Sequence, residues 1–375
     1  MTEHAEYVSP GHPDRLADAI AEGIVTASVR DNPLALVGVE VAVHRDRVFV
    51  DGRIAAGHRA IDVDRITRRV YRAAGYGPRW DPAPESLTLL TDLCEEALPR
   101  EEEDVRPFSD DQNIVTGHAC GDARTNFLPV AHWVAGVIGR SLHRSLREDP
   151  LLAEEFGPDL KLLAMLERDP GHGPVNRITW RRLVVSVLHR PGIGAERQHR
   201  MLLPLITEIL GELEWEGLIG AASSFSPDLL VLNGAGDFTV GGPRGDNGLS
   251  GKKLVVDHYG PTVPIGGGAL SGKDPHKIDK CGPLRARQLA KTLVRAGADS
   301  ADVTLAWAPG ADAPPSVMAV TTRGGARQRV PEGQLPPPEW FSIARIVSDL
   351  ELLHIDWEEQ VLDGYFHDFN ARWER

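Results

Sequence analysis

Two rhythms of apolar and polar positions run along this chain, and they predict its elements. In 12–30, Leu16, Ile20, Ile24 and Ala27 recur at helical spacing. Segments 36–43 and 47–50 read as strands around the turn-like His44-Arg45-Asp46, with 54–60 as a third strand. Segment 62–74 starts with acidic residues and stops at Gly75, as a helix does. Residues 76–112 break the pattern with Pro78, Pro82, Pro84, Pro99, Pro107 and an acidic run at 101–104, which predicts a long loop that could serve as a lid. Beyond it, 129–146 is a helix with Val130, Val134, Ile138 and Leu142 on one side. Segments 160–166 and 182–189 are paired strands around a Gly/Pro turn at 170–174, and 196–213 is a further helix. The last part reads as strand 228–233, a glycine-rich stretch to 273, helix 283–296, strands 303–308 and 317–322, and helix 337–350. Each third joins helices to strands. The prediction is an α+β fold of three related subdomains, 1–106, 107–227 and 228–375, with helices on one face of mostly antiparallel sheets.

Charge narrows the function. Against 41 Lys and Arg stand 54 Asp and Glu, a net charge of −13 over 375 residues. That balance argues against a nucleic-acid partner, which needs a basic face, yet leaves room for a local polyanion pocket. No apolar run reaches the roughly 18 residues of a membrane span. The start, MTEHAEYVSPGHPD, lacks a secretory pattern. The three cysteines, Cys94, Cys120 and Cys281, support neither a disulfide framework nor a zinc site. A cytoplasmic location is the expectation.

Candidate chemistry concentrates in 233–280, where glycines alternate with Lys252, Lys253, Lys273, Lys277 and Lys280 and with Asp246, Asp274 and Asp279. Glycine lets a backbone approach a ligand and aim consecutive N–H groups at it. Lysines suit a polyphosphate, and carboxylates suit the Mg²⁺ that travels with it. Segment 267–274 matches GxxxxGK, but Asp274 replaces the final Ser or Thr and prolines flank it, so it is not a P-loop. A second cluster, Gly11-His12-Pro13-Asp14-Arg15, sits where the first helix begins; Pro13 suits its first turn, and a helix N-terminus attracts anions. A third, Asp110-Asp111-Gln112, follows the proline-rich stretch.

Taken together, these clusters resemble the S-adenosylmethionine synthetase (methionine adenosyltransferase) family. Its SEGHPDK appears as Ser9 to Arg15, its GDQG as Asp110 to Asn113, and its PDAK as Pro158 to Lys161. Its glycine-rich NPTGRFVIGGPxGDxGLTGRKIIVDTYG appears as Asn233 to Gly260, and GGGAFSGKDPSKVDRS as Gly266 to Cys281. The last two matches are long and specific. The resemblance implies three α+β subdomains around a pseudo-threefold axis, in a homodimer with sites at its interface, or a tetramer made of two such dimers. It implies that ATP and methionine, or another small nucleophile, are joined as triphosphate leaves and is cleaved to phosphate and pyrophosphate. By the same resemblance His12 lies beside C5′ and Asp14 and Asp279 ligate Mg²⁺. Lys161, Lys252, Lys253, Lys273 and Lys277 surround the triphosphate, with Arg15 and Asp159 among the ATP contacts. Glu40 serves K⁺, Phe238 stacks on adenine, and Asp111 and Asp246 lie near the nucleoside and the amino acid.

The departures fall on the acceptor side. Where the family has GGEI, whose Glu helps hold the methionine amino group, this chain has Asp51-Gly52-Arg53-Ile54. An ammonium facing Arg53 would be repelled, and an acceptor carrying a carboxylate would not. The family's KQSPDI loop has no counterpart in 95–104. Arg15 replaces a Lys, Lys252 an Arg, and Asp237 an Arg beside Phe238. An ATP-dependent adenosyltransferase is the leading expectation. A triphosphate-releasing enzyme without methionine and an inactive ATP-binding regulatory paralogue are its alternatives.

Overall fold

The computed structural model describes residues 2–57, 60–168, 178–215 and 225–375. Three four-stranded sheets form the frame. The first orders β1 (Thr2–Val8), β6 (Phe156–Arg168), β7 (Ile178–His189) and β8 (Leu230–Leu232). The second runs β12 (Ala326–Arg329), β11 (Ser316–Arg323), β10 (Ser300–Trp307) and β5 (Asn113–Cys120), all antiparallel. The third orders β4 (Thr88–Ala97), β3 (Arg47–Ala56), β2 (Leu36–His44) and β9 (Gly248–Leu249). Sequence segments are shared between sheets: β1 pairs with β6 of the central part, and β5 with β10 of the last part.

Each sheet buries one face under one long helix. The helix Pro13–Asp31 lies on β2, Val130–Glu148 on β1 and β6, and Ile278–Arg295 on β5 and β10. Alternation supplies the buried faces: Val37, Val39, Val41 and Val43 of β2 point into the core. The Pro13–Asp31 helix is covered almost all round, because the helices Val63–Ala74 and Trp357–Asp363 also pack on it. Its polar residues must then find partners inside. Glu22 accepts from the Lys280 Nζ at 2.6 Å and from the Tyr365 hydroxyl, with both charged side chains fully buried. Among the described residues no helix is long and apolar enough to cross a membrane.

Several sequence expectations need correction. The 76–112 stretch is not a continuous loop. It holds β4, which pairs in parallel with β3 from Arg47↔Thr88 to Ala56↔Ala97, and a short helix Arg100–Glu103. β4 buries neither face, so it carries no alternation to read. The strand expected at 54–60 is the end of β3, and the helix expected from Pro283 begins at Ile278, with Pro283 inside its first turns. β1 and β5 were absent from the sequence reading. The turn expected at 170–174 lies outside the described residues.

Candidate functional site

Two helix N-termini gather most of the candidate residues, and they are built alike. The Pro13–Asp31 helix is capped by His12 and has Asp14 in its first turn. The Ile278–Arg295 helix starts after Lys277 and has Asp279 there. Both present unpaired N–H groups and the positive end of a helix dipole, where an anion is favoured.

At the first terminus, Ser9 zips the entering chain to Pro158–Leu160. Its Oγ donates to the Pro158 carbonyl at 2.7 Å and accepts from Leu160 N at 2.9 Å. Asp159 is thereby buried near His12, with Oδ2 accepting from Gly242 N at 2.7 Å and Oδ1 without a partner. Burial pushes its pKa up to about 6. Asp14 accepts from the Lys253 Nζ at 2.7 Å and from Leu249 N at 3.0 Å, and Lys252 stands at 3.6 Å. Burial works to raise the Asp14 pKa, but Lys253 and the Leu249 N–H outweigh it and hold it below the usual carboxylate range. Gly248 makes this approach possible, since a Cβ there would lie 2.1 Å from the Pro13 carbonyl. His12 is buried, and burial pushes its pKa down to about 3. Its Nδ1 accepts from Asp14 N at 3.2 Å, which leaves the proton on Nε2. Lys161, opposite Val8, contributes positive charge toward His12. Asp246 is exposed close by, its Oδ1 accepting from Asn247 N. Phe238 is held through its backbone, its N–H donating to His189 Nε2 at 3.0 Å and its carbonyl accepting from His189 N at 2.9 Å. Asp237 points to solvent beside it. His189 has no signal in the sequence beyond its place at a strand end.

At the second terminus, Lys273 reaches Asp279 at 3.1 Å and Asn113 donates to the same oxygen at 2.8 Å. Gly268 is required here, since a Cβ would fall 2.0 Å from Asp279 Oδ1. Lys277 pairs with Asp110 at 2.5 Å. Asp111 is exposed next to it, with Oδ1 accepting from Gln112 N at 2.7 Å.

Other residues stand apart. Arg15 adds positive charge at His12, but its guanidinium is buried between Asp257 at 2.7 Å and Asp18 at 3.2 Å. Glu40 faces outward on β2 opposite Asp51 of β3 and accepts from the Ser250 hydroxyl. Arg53 is clasped by Glu96 and Glu102 at 2.6 and 2.8 Å. Glu96 and Glu102 were read only within the segment 95–104 and its acidic run, and Asn113 only as the end of the Asp110–Asn113 match, because their partners lie far along the chain.

The donors fit the implied metals. Asp14 and Asp279 are single hard oxygen donors already facing ammonium groups, which suits Mg²⁺ held by one carboxylate plus phosphate oxygens. Among the described residues no group of three or more His, Cys, Asp or Glu is arranged around a metal. Glu40 and Asp51 are like charges directly across a strand pair, a repulsion that a monovalent cation would relieve.

Lysine–aspartate pairs at two helix N-termini of an α+β frame have the chemistry that a polyphosphate would need. Comparison narrows the reading. The N-terminal domain model of S-adenosylmethionine synthetase matches residues 1–93 and its C-terminal domain model residues 240–375. An S-adenosylmethionine synthase from Corynebacterium urealyticum is 31% identical over 99% of this chain and 95% of its own. The structure described as that of an unusual S-adenosylmethionine synthetase from Campylobacter jejuni superposes with a TM-score of 0.83 at 25% identity, covering 100% of this chain and 96% of that one. The chain belongs to the S-adenosylmethionine synthetase family.

Proposed function

We propose that this protein transfers the adenosyl group of ATP to the sulfur of methionine or a related nucleophile, releasing phosphate and pyrophosphate. The carrying observation is the matched pair of helix N-termini, each with a first-turn aspartate and lysines around it. Sulfur attacks C5′, the C5′–O bond breaks, and its electron pair leaves on the triphosphate. Lys252, Lys253, Lys273 and Lys277 neutralise that growing charge. Neutral His12 offers its Nε2–H to the departing oxygen. Mg²⁺ bound at Asp14 and Asp279 would supply further positive charge to the phosphates.

The two termini belong to one site only across two copies of the chain. Lys273 bridges Gly38, whereas Gly248 pairs with Val43, both on one edge of β2. From 38 to 43 at ~3.4 Å per residue, their anchors are about 17 Å apart. The outer face of the same sheet exposes Phe49, Leu90 and Leu249 around a groove of 610 Å³, an apolar patch suited to a second copy. The reading is therefore a homodimer, or a tetramer of two such dimers, with composite sites.

The experiment is complementation. Asp14→Asn and Lys273→Ala chains, each strongly impaired alone, are unfolded together and refolded. With ATP, Mg²⁺, K⁺ and methionine, the mixture should regain S-adenosylmethionine formation, because a mixed dimer has one undamaged site. A mixture no more active than its components defeats the composite site; wild type that forms no adenosyl product defeats the activity.

A further inference from the structure

Beside the Lys273–Lys277 strap lies a cavity of 660 Å³ that neither lysine lines. Its size falls within the roughly 300–1,000 Å³ of small-molecule sites. Leu34, Pro107, Val347 and Leu353 give it apolar walls, and Arg106 and His276 line it from the buried side.

Two observations mark it as a site with work for a ligand. The first is a pair of buried nitrogens without partners, which native structures seldom leave unmatched. Arg106 is 5% exposed; its Nη2 donates to the Ala35 carbonyl at 3.1 Å and to Asp274, but its Nε–H finds no acceptor. His276 is 8% exposed, and its Nδ1, 3.7 Å from Asp274 Oδ1, has no hydrogen-bond partner. The second is uncompensated charge. Asp274 balances Arg106, and Arg372 holds Glu351 at 2.6 Å. Glu103 and Asp104 are exposed on the cavity wall and have no ion-pair partner among the described residues. The cavity thus offers two negative charges, apolar walls and an unused buried donor. His276 stands where the family pattern GKDPSKVD has serine, and Glu103 and Asp104 fall where the family's KQSPDI loop has no counterpart, so this combination is the chain's own.

We propose that this cavity is a second small-molecule site, selective for an organic amine. The ammonium lies between Glu103 and Asp104, the apolar body packs on Val347 and Leu353, and an oxygen of the ligand accepts from the Arg106 Nε–H. The site goes beyond the adenosyl-transfer reading and does not depend on it. Arg106 and His276 both adjoin Asp274, so an occupant touches the brace of the phosphate cradle without entering the cradle.

The test uses the full-length protein at pH 7 and saturation-transfer NMR titrations with three probes. Tyramine carries amine, ring and hydroxyl; 3-(4-hydroxyphenyl)propanoate exchanges the amine for a carboxylate; phenethylamine lacks the hydroxyl. Tyramine should bind about fivefold more tightly than the propanoate, the scale of exposed ion pairs. It should bind about tenfold more tightly than phenethylamine, the scale of a hydrogen bond to a charged donor. The Glu103→Gln/Asp104→Asn pair should level tyramine and the propanoate. Ser348→Trp and Ala344→Trp, both at exposed positions on the cavity wall, should fill it and abolish tyramine binding. Whichever of the two melts with wild type decides. A non-hydrolysable ATP analogue with Mg²⁺ should leave tyramine in place. No tyramine binding to wild type, either comparison probe binding as tightly, tyramine retained by the filled cavity, or its displacement by the ATP analogue overturns the proposal. Tyramine binding as expected in a protein that forms no adenosyl product strikes the adenosyl-transfer reading alone.

Discussion

Asp274→Asn tests how the cradle is braced from behind. Asp274 is fully buried between Lys273 and the His276-Lys277 step. Its Oδ1 takes the Arg106 Nη2 and the His276 N–H at 2.9 Å, and its Oδ2 takes the Val37 N–H at 2.8 Å. Arg106, also buried, gives a second bond to the Ala35 carbonyl at 3.1 Å. Burial would raise the Asp274 pKa, but these donors and the Arg106 charge overcome it and hold the pKa far below the usual range. Asparagine keeps the shape and loses the charge, so Arg106 stays buried without its counter-ion. Breaking one partner of a buried pair costs about 3–5 kcal/mol, a large share of the roughly 5–15 kcal/mol of a typical domain. Urea unfolding at pH 7 should show that loss at an unchanged slope, and the KM for ATP should rise as the strap from Lys273 to Lys277 loosens. The sign with pH follows from the lowered pKa. The stabilisation is present above the unfolded carboxylate pKa of about 3.9 and fades as pH falls below it. Wild type and variant should therefore keep their gap down to about pH 4 and draw together only below it, as pH falls toward the lowered folded pKa. A cost under about 1 kcal/mol, or a gap that widens on acidification, refutes the bracing argument.

Other outcomes are equally definite. Lys253→Ala and Lys273→Ala should each lower kcat by about 10²–10³-fold, the usual cost of losing one preorganised donor to developing charge, as read by mass spectrometry of nucleoside products. His132 is buried, and burial pushes its pKa down to about 3. Below about pH 6.5 only the unfolded chain takes up that proton, so wild type should lose about 1.4 kcal/mol per pH unit from this group. His132→Leu should lack that slope, checked by urea midpoints at pH 7 and 5; identical slopes would refute it. Glu22→Gln should destabilise by about 3–5 kcal/mol, whereas the apolar pair Glu22→Leu/Lys280→Met should cost less, because it strands no charge. Thermal melts of the two variants decide it.

How much of this was legible before any coordinates? The helices Pro13–Asp31 and Val63–Ala74 were, because period and caps agree: Asp62 accepts from Arg65 N, and Gly75 ends the second helix in the left-handed region. The strand Thr88–Ala97 was not, since an edge strand exposed on both faces leaves no hydrophobic alternation. The site residues stood out as types, but their partners did not. Lys252, Lys253, Lys273 and Lys277 are close in sequence, yet the fold divides them between two helix termini. Arg15 reads as a phosphate ligand until Asp257 appears beside it, 242 residues later. Arg53 reads as a free charge for the same reason, because the glutamates that engage it lie 43 and 49 residues on. Local patterns report local geometry; long-range ion pairs have no signature in a single sequence.

The lysine–aspartate pairing at both helix termini has a consequence for the order of events. A dication arriving alone would meet ammonium groups, and a polyanion arriving alone would meet carboxylates. When both arrive, each aspartate can exchange its lysine for the metal while each lysine exchanges its aspartate for phosphate. On the proposed function, nucleotide and metal would thus act as heterotropic partners, each raising the protein's affinity for the other by the same factor.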